Sequence, residues 1–525
     1  MVKKHPTKPE LKRRTLSFLS FFILPLSLII FLILVTRRIT LPYVGYNAWN
    51  YNIYSLIAHN YNQFGLIQTK FAPLISVTKT LPPLPKYYLH HPPLLSLLEA
   101  GIFRIFGESF WSGRLTVILF SIFSLGMIYL IAKKLKGKEY GVICASIASL
   151  VPGYILFGRM IGQEALVLFF CLSTTYLLLL LFERASTIRI FLLLTSIVLG
   201  VLSDWPMVYF AILFGGYAIY MKKKKLGCFM IGIAIITAAF YLGYIYWLLG
   251  NFNDLQSAWH TRSLGQLLSF PHWPLLWLGA IGLRIVFYGS PIVVILSCGY
   301  LYMQWKEPKK EIILYLWGMF GLIHVILYPE GSFGHPYWII YLLPFLIFSS
   351  GGSILMLLRK KYFFSLLLLF LFSIIYSWKV ESWKTKEIQG NMWRYELAQE
   401  VNASLPSYAV IGLSKDVPID YDMFLYQFNH EALVLSEEEA ITQKKYLDYY
   451  ISNRDSQLST QFATHILATT RGSFIIINLH TKKNTTPLPT ARRSDTISIP
   501  LLPNKPTSLK ALYFSLISFL HMPQL

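Results

Sequence analysis

Charge is what this chain has least of. Only 14% of its 525 residues are Asp, Glu, Lys or Arg, where a soluble protein of this length carries about 25%. So few charges exclude an ordinary water-exposed globule. With 55% hydrophobic residues, a mean hydropathy of +0.51 and several apolar runs longer than the roughly 18 residues that cross a bilayer, the chain reads as a multi-pass membrane protein. Acidic residues are the scarcer sign: 25 Asp and Glu stand against 47 Lys and Arg, for a formal net charge of +22. Aromatic residues that would stack on bases are not interleaved with the basic runs, so the excess does not point to nucleic acid. Cysteine is nearly absent. Cys144, Cys171, Cys228 and Cys298 fall in or at the inner ends of apolar runs, without metal-site spacing, and read as small buried apolar side chains. The basic leader KKHPTKPELKRR precedes an apolar run at 16–36 that lacks a small-residue cleavage site, so a retained first span is expected.

Basic residues cluster at KKLKGK (133–138), ERASTIR (183–189), KKKK (222–225), KEPKK (306–310) and RKK (359–361), each after an apolar run. Under the positive-inside rule these are cytoplasmic loops. Spans are expected at 16–36, 112–132, 140–158, 164–182, 189–203, 206–221, 226–249, 285–305, 312–328, 337–357 and 362–378. With a cytoplasmic N-terminus, the short outer turns 158–164, 203–206 and 328–337 then hold Arg159 as their single basic residue.

The expected fold is therefore an all-α polytopic membrane domain over 1–378, about eleven spans, with a C-terminal extracytoplasmic α/β domain over 379–525. The external loop 37–111 carries helical patterns at 48–64 and 93–106, too short to span and expected along the membrane surface. The second starts at Pro92-Pro93, since proline suits a first helical turn and not a helix interior. Residues 250–284, rich in Trp, His and Asn, are external and end in an interfacial aromatic segment. In the tail, strands are expected at 409–414, 432–436, 464–470 and 473–480, a helix at 437–452, and a short apolar stretch at 508–520.

Polar side chains in a membrane protein are costly, about 2.5–3.5 kcal/mol for a charge at a helix centre. Here they gather at one level. Asn47, Asn50, Asn52, His59, His90 and His91 lie in the first external loop. Arg159, Gln163 and Glu164 occupy the turn before the fourth span, Asp204 the next outer turn, and Glu330 and His335 the one after. Each has a plainer role available: Glu164 as a helix-start acid, Asn50 and its neighbours as caps, His335 as a turn residue beside Pro336. Their convergence from separate segments is the functional signal. His90 and His91 are poor metal ligands, because adjacent side chains diverge and a third ligand at recognisable spacing is missing. A cofactor is not expected, and a divalent metal has no support.

Five pieces occur in order: NYNIYSLIAHNYNQFG (50–65), YYLHHPPLL (87–95), FGESFWSGRL (106–115), GRMIGQEALVLFF (158–170) and HPYWIIYLLP (335–344). Over about 40–350 the chain resembles the GT-C superfamily of membrane glycosyltransferases, in the bacterial branch of protein mannosyltransferases and lipid A aminoarabinose transferases. The resemblance implies inverting transfer of a sugar from a polyprenyl-phosphate donor to a lipid, glycan or protein acceptor at the external face. It implies a carboxylate that deprotonates the acceptor hydroxyl, and donors for the leaving phosphate. It makes Tyr54, His59, His90, His91, Arg159, His335 and Tyr337 candidate substrate contacts, His91 foremost as the residue before the prolines.

The sequence departs from that pattern at the decisive place. Aligning Tyr54 with the family tyrosine puts Asn50 where the acid is expected, and His59 where arginine is usual. Asparagine is no general base, so Glu164, at the head of the fourth span, or Asp204 must supply the carboxylate. Otherwise the chain is a relative that binds lipid-linked sugars without transferring them. A flippase for lipid-linked glycans is a further alternative, against which stand the lack of an internal repeat and the outer position of the polar residues.

Overall fold

The computed structural model describes residues 22–479, apart from 46, 264, 266, 268–271, 306–310, 360–361, 418, 420, 454–465 and 471–473. The basic leader, the start of the first expected span, the basic cluster 306–310 and the apolar stretch 508–520 lie outside the described residues.

Helix boundaries follow the apolar runs. The first run gives α1 (Leu24–Thr36). The loop 37–111 gives α2 (Ala48–Phe64) and α3 (Leu94–Phe106), the latter starting directly after Pro93. A capping box between Ser109 and Ser112 opens α4 (Phe110–Lys136), satisfying first-turn N–H groups that have no partner in the helix. The third run breaks at Pro152 into α5 (Lys138–Leu150) and α6 (Pro152–Phe157). Then come α7 (Glu164–Glu183), α8 (Thr187–Ser203), α9 (Pro206–Tyr220) and α10 (Lys224–Leu249). The run 189–221 is thus two helices, broken at Asp204-Trp205.

The stretch after α10 holds α11 (Asn253–Ser263). The expected interfacial segment is instead a full apolar helix, α12 (Trp273–Gly289), bent by 105° into α13 (Pro291–Gln304). The bend is local: Pro291 lacks the N–H that would continue the ladder, and Ser290 sits at φ +74°. After α14 (Ile312–Leu327), the short α15 (Pro329–Gly334) and a 3₁₀ segment at Pro336–Leu342 lead into α16 (Leu343–Arg359). The last apolar run forms α17 (Phe363–Gly390), followed by α18 (Met392–Ala403).

By length and composition, five helices among the described residues can cross a bilayer, six if the α12–α13 pair is one span; α1, α8, α9 and α14 are shorter apolar helices. Many large side chains of α10 and α17 face outward, as helices bathed in lipid do: Phe229, Ile236, Phe240, Phe364 and Leu368 are all exposed. The cysteines divide accordingly. Cys144 and Cys171 are buried, but Cys228 and Cys298 are exposed, because a lipid-facing thiol needs no protein cover.

Beyond α18 the chain forms a small mixed sheet with strand order β2-β1-β3-β5-β4. Its strands are β1 (Val410–Leu413), β2 (Glu431–Val434), β3 (Tyr449–Asn453), β4 (Ile466–Thr470) and β5 (Phe474–Asn478), with α19 (Tyr421–Tyr426) and α20 (Glu437–Thr442) between them. β1 pairs parallel with β2 and β3, while β5 is antiparallel to β3 and β4. The helix expected over 437–452 is shorter. The capping box of Ser436 and Glu439 starts it, but the aromatic and β-branched run Tyr449-Tyr450-Ile451 pairs with Ile411–Leu413 as a strand.

Candidate functional site

The strap that ends in Leu89-His90-His91 is held by its backbone, which leaves both imidazole rings to face other groups. The Tyr241 hydroxyl of α10 lies 2.9 Å from the Leu89 carbonyl and 2.8 Å from that of His91. The Trp205 indole N–H donates to the His90 carbonyl at 2.7 Å. Tyr88 packs edge-on to His90, ring centroids 4.0 Å apart, and His90 lies 4.8 Å from His91.

Each histidine faces an aspartate. His91 Nδ1 is 2.9 Å from Asp204 Oδ1, and His90 Nδ1 is 3.5 Å from Asp254 Oδ2. Arg262 of α11 completes the group, with Nη2 3.0 Å from His91 Nε2. A guanidinium nitrogen only donates, so Nε2 accepts and the His91 proton sits on Nδ1, directed at Asp204. Burial pushes the pKa of both histidines down, more than the neighbouring carboxylates pull it up. Burial raises Asp204 and Asp254, but the facing histidines and Arg262 outweigh it and hold both carboxyls below their ordinary range. The site therefore carries two carboxylates, one guanidinium and two neutral imidazoles at neutral pH.

Glu164, the first residue of α7, is 6% exposed, with Oε2 unpaired by any protein group; Asp204 and Arg262 are its electrostatic neighbours, and the Trp338 side chain is a hydrogen-bond neighbour of its carboxyl. Gln163 Nε2, His324 Nε2 and Tyr341 Oη are buried and unpaired in the same region. His324 meets Trp338 and Tyr341 at 4.7 and 4.8 Å between ring centroids, and its Nδ1 is hydrogen-bonded to the Tyr209 hydroxyl. His335 stacks against Tyr337 and Trp338; burial, then Arg262, Arg284 and His91, lower its pKa to about 3. The Asn50 amide donates to the Tyr337 hydroxyl at 3.3 Å, and Tyr54 is buried next to Tyr88 and Gln163.

The residues singled out in the sequence thus divide. His90, His91, Glu164, Asp204 and His335 share electrostatic neighbours around Arg262, with Asn50, Tyr54 and Tyr337 at the edge of the same group. His59 is engaged elsewhere, with Nδ1 2.8 Å from Glu108 and Nε2 3.1 Å from Gln63. The Arg159 guanidinium donates to the Leu34 and Arg37 carbonyls, each at 3.2 Å, and to buried Glu381 at 3.1 Å. Glu381 also accepts from Arg37 at 2.5 Å, so Arg159 ties α1 to α17. The sequence reading missed Arg262, Asp254 and His324. For the first two a signal existed: they lie about two turns apart on the short polar helix α11. His324 lies inside an apolar run and gives none.

Residues 90–247 match the family model of dolichyl-phosphate-mannose-protein mannosyltransferases. No curated protein matches the sequence. The fold is similar to that of ArnT from Cupriavidus metallidurans bound to undecaprenyl phosphate, at 12% identity and a TM-score of 0.60, over 89% of this chain and 99% of the other. The apo state of the same protein gives 10% identity and a TM-score of 0.56, over 88% and 98%. Archaeal oligosaccharyltransferase AglB from Archaeoglobus fulgidus, solved with an inhibitory peptide and a dolichol-phosphate, gives 14% and 0.51, over 85% of this chain and 71% of that one. The family-model match over residues 90–247 and the fold shared with ArnT and AglB bear out the resemblance to GT-C glycosyltransferases read in the sequence, and the long apolar helices agree with a multi-pass membrane protein.

Proposed function

We propose that the chain transfers a sugar from a polyprenyl-phosphate donor to an acceptor hydroxyl at the external membrane face, with inversion at the anomeric carbon. The observation that carries this is the Arg262 guanidinium set between two histidine–aspartate pairs, a group of donors for a phosphate that leaves with negative charge. The fold points the same way, since both ArnT and AglB were solved with a polyprenyl-type phosphate. The donor is then a polyprenyl-phosphate sugar, and the acceptor a lipid, glycan or protein hydroxyl.

Glu164 fits the role of general base best. Asn50 has no basic atom, and Asp204 is engaged by His91, whereas Glu164 Oε2 has no protein partner. In the transfer the acceptor proton passes to Glu164, and the acceptor oxygen bonds the anomeric carbon from the face opposite the phosphate. The bond from that carbon to the phosphate oxygen breaks, and its electron pair leaves on the lipid phosphate beside Arg262. Asn50 and Tyr337 line the acceptor side.

In this reading residues 1–378 form the membrane domain with eleven spans and a cytoplasmic N-terminus, and 379–525 lie outside. Transfer of radiolabelled sugar from polyprenyl-phosphate donors in membranes tests it. Glu164→Gln should lower the rate by about 10²–10⁴-fold, the usual contribution of a positioned base, and His91→Ala should weaken donor use. Full transfer in both variants would remove the site assignment. Asn50 supports a second reading, a relative that binds lipid-linked sugars without transfer; binding with no turnover on any donor would favour it.

A further inference from the structure

Two adjacent histidines, each facing its own aspartate, are more than a phosphate needs if the rings only donate hydrogen bonds. The charges show what they add. The side chains closest to the pair are Asp204 at the α8–α9 corner, Asp254 and Arg262 on α11, and Tyr88 on the strap itself. Beyond them Tyr241 faces in from α10, His335 from the turn after α15, and Glu164 from the head of α7. Arg284 also reaches His335, but its guanidinium is committed to the Ser332 and Phe333 carbonyls, at 2.5 and 2.7 Å. With both imidazoles neutral, the nearest fixed charges are one guanidinium against two carboxylates. A phosphodiester, itself an anion, would enter a buried site whose inner charges are already net negative.

We propose that His90 and His91 take up protons from solution as the lipid phosphate binds beside Arg262, so that donor binding at this site is proton-coupled. This rests on the reading of the site as a lipid-phosphate site and deepens it. The hydrogen-bond geometry supplies the mechanism. Arg262 fills the His91 Nε2 lone pair, which keeps that ring neutral. When the guanidinium turns its donors to a phosphate, Nε2 is released beside an anion. It then binds a proton and donates it to the phosphate, while Nδ1–H stays on Asp204. His90 follows the same course with Asp254, whose 3.5 Å separation and unpaired Nδ1 leave room for a hydrogen bond formed only on protonation. With both rings charged, three cations face two carboxylates and one phosphodiester anion, and the inner charges cancel. The depressed basicity of both buried rings keeps them unprotonated before the phosphate arrives.

The test uses detergent-solubilised full-length protein and farnesyl methyl phosphate, a prenyl phosphodiester that does not titrate between pH 6 and 9. Calorimetry in two buffers of different ionisation enthalpy counts the protons taken up on binding. One to two protons per bound diester are expected at about pH 7.5, and the Kd should rise about tenfold per pH unit for each proton coupled. His91→Lys places a permanent cation at the same position; it should retain binding and lower the uptake by about one proton. Binding with the same enthalpy in both buffers and a flat Kd from pH 7 to 9 overturns the proton coupling and leaves the phosphate site standing. Absence of binding by the folded wild-type protein at every pH overturns both.

Discussion

Glu99 lies in α3 with the Ser55 hydroxyl donating to Oε1 at 2.6 Å and Oε2 unpaired. Burial pushes its pKa from 4.5 up to about 8; the Ser55 hydrogen bond lowers it a little and Glu108 raises it. The folded chain therefore holds this proton more tightly than the unfolded chain does. Its contribution to stability is complete below about pH 4.5 and is lost as the pH rises through about 8, at about 1.4 kcal/mol per pH unit within that window. Glu99→Gln keeps the shape without the titration. Thermal unfolding in detergent should give similar midpoints for both proteins near pH 5 and a more stable variant at pH 8. Superimposable pH curves would show that Glu99 ionises in the fold at no cost. Gly113 adds a constraint here, since a Cβ at that position would clash with the Tyr43 hydroxyl and stand 2.7 Å from Glu99 Oε1. Of the site itself, His90, His91, Glu164 and Asp204 were legible in the sequence because polar residues beside apolar runs stand out. Arg262 was overlooked: its spacing from Asp254 on a short polar helix was a weak signal, and only the fold of α11 shows that it reaches His91.

The helix α2 was legible to the residue from its pattern, but its setting was not. In place of lying free along a membrane surface, it is buried between α3 and α19 of the C-terminal region. Asn52 donates to Asp422 Oδ2 at 2.7 Å and accepts from Gln427 at 2.7 Å, and the Trp49 indole donates to the Tyr421 hydroxyl at 3.1 Å. The strap 74–88 is fixed by the same region, through the Lys86–Glu431 ion pair and the Val77 N–H on Glu431 at 3.3 Å. The helix carrying Asn50 and Tyr54 and the strap leading to His90 are thus both fastened to the segment 421–431. Sequence spacing does not reveal a contact between residues this far apart. Removing one partner of a buried, charge-assisted hydrogen bond costs about 1–3 kcal/mol. Asn52→Ala and Asp422→Ala should each destabilise by that order, and the double variant by clearly less than the sum, with a coupling of about 1 kcal/mol or more in a double-mutant cycle. Additive effects would show that the contact carries no specific energy.

Across the whole molecule, the two kinds of polar cluster stand at opposite ends of the helices. Lys134 pairs with Glu183, and Lys136 with Glu311 at 2.6 Å, so the ends of α4 and α7 and the start of α14 meet at a basic end. Glu164 opens α7 beside Asp204 and Arg262. The 20 residues of α7 therefore separate the ion pairs from the site by about 30 Å, the thickness of a bilayer core. By the positive-inside rule the basic end is expected inside, and the proposed orientation, with the site and the sheet domain outside, follows from that expectation. The Arg37–Glu381–Arg159 ion pairs fix the other landmark, joining the ends of α1 and α6 to α17 as that helix approaches the C-terminal domain. A phosphatase fused after residue 405 should accordingly be active and a fluorescent protein at the same point dark, with the opposite pattern for fusions after residue 223. An inner signal at 405 would reverse the molecule in the membrane and place the proposed phosphate site in the cytoplasm, so that the proposed acceptor would have to be a cytoplasmic molecule.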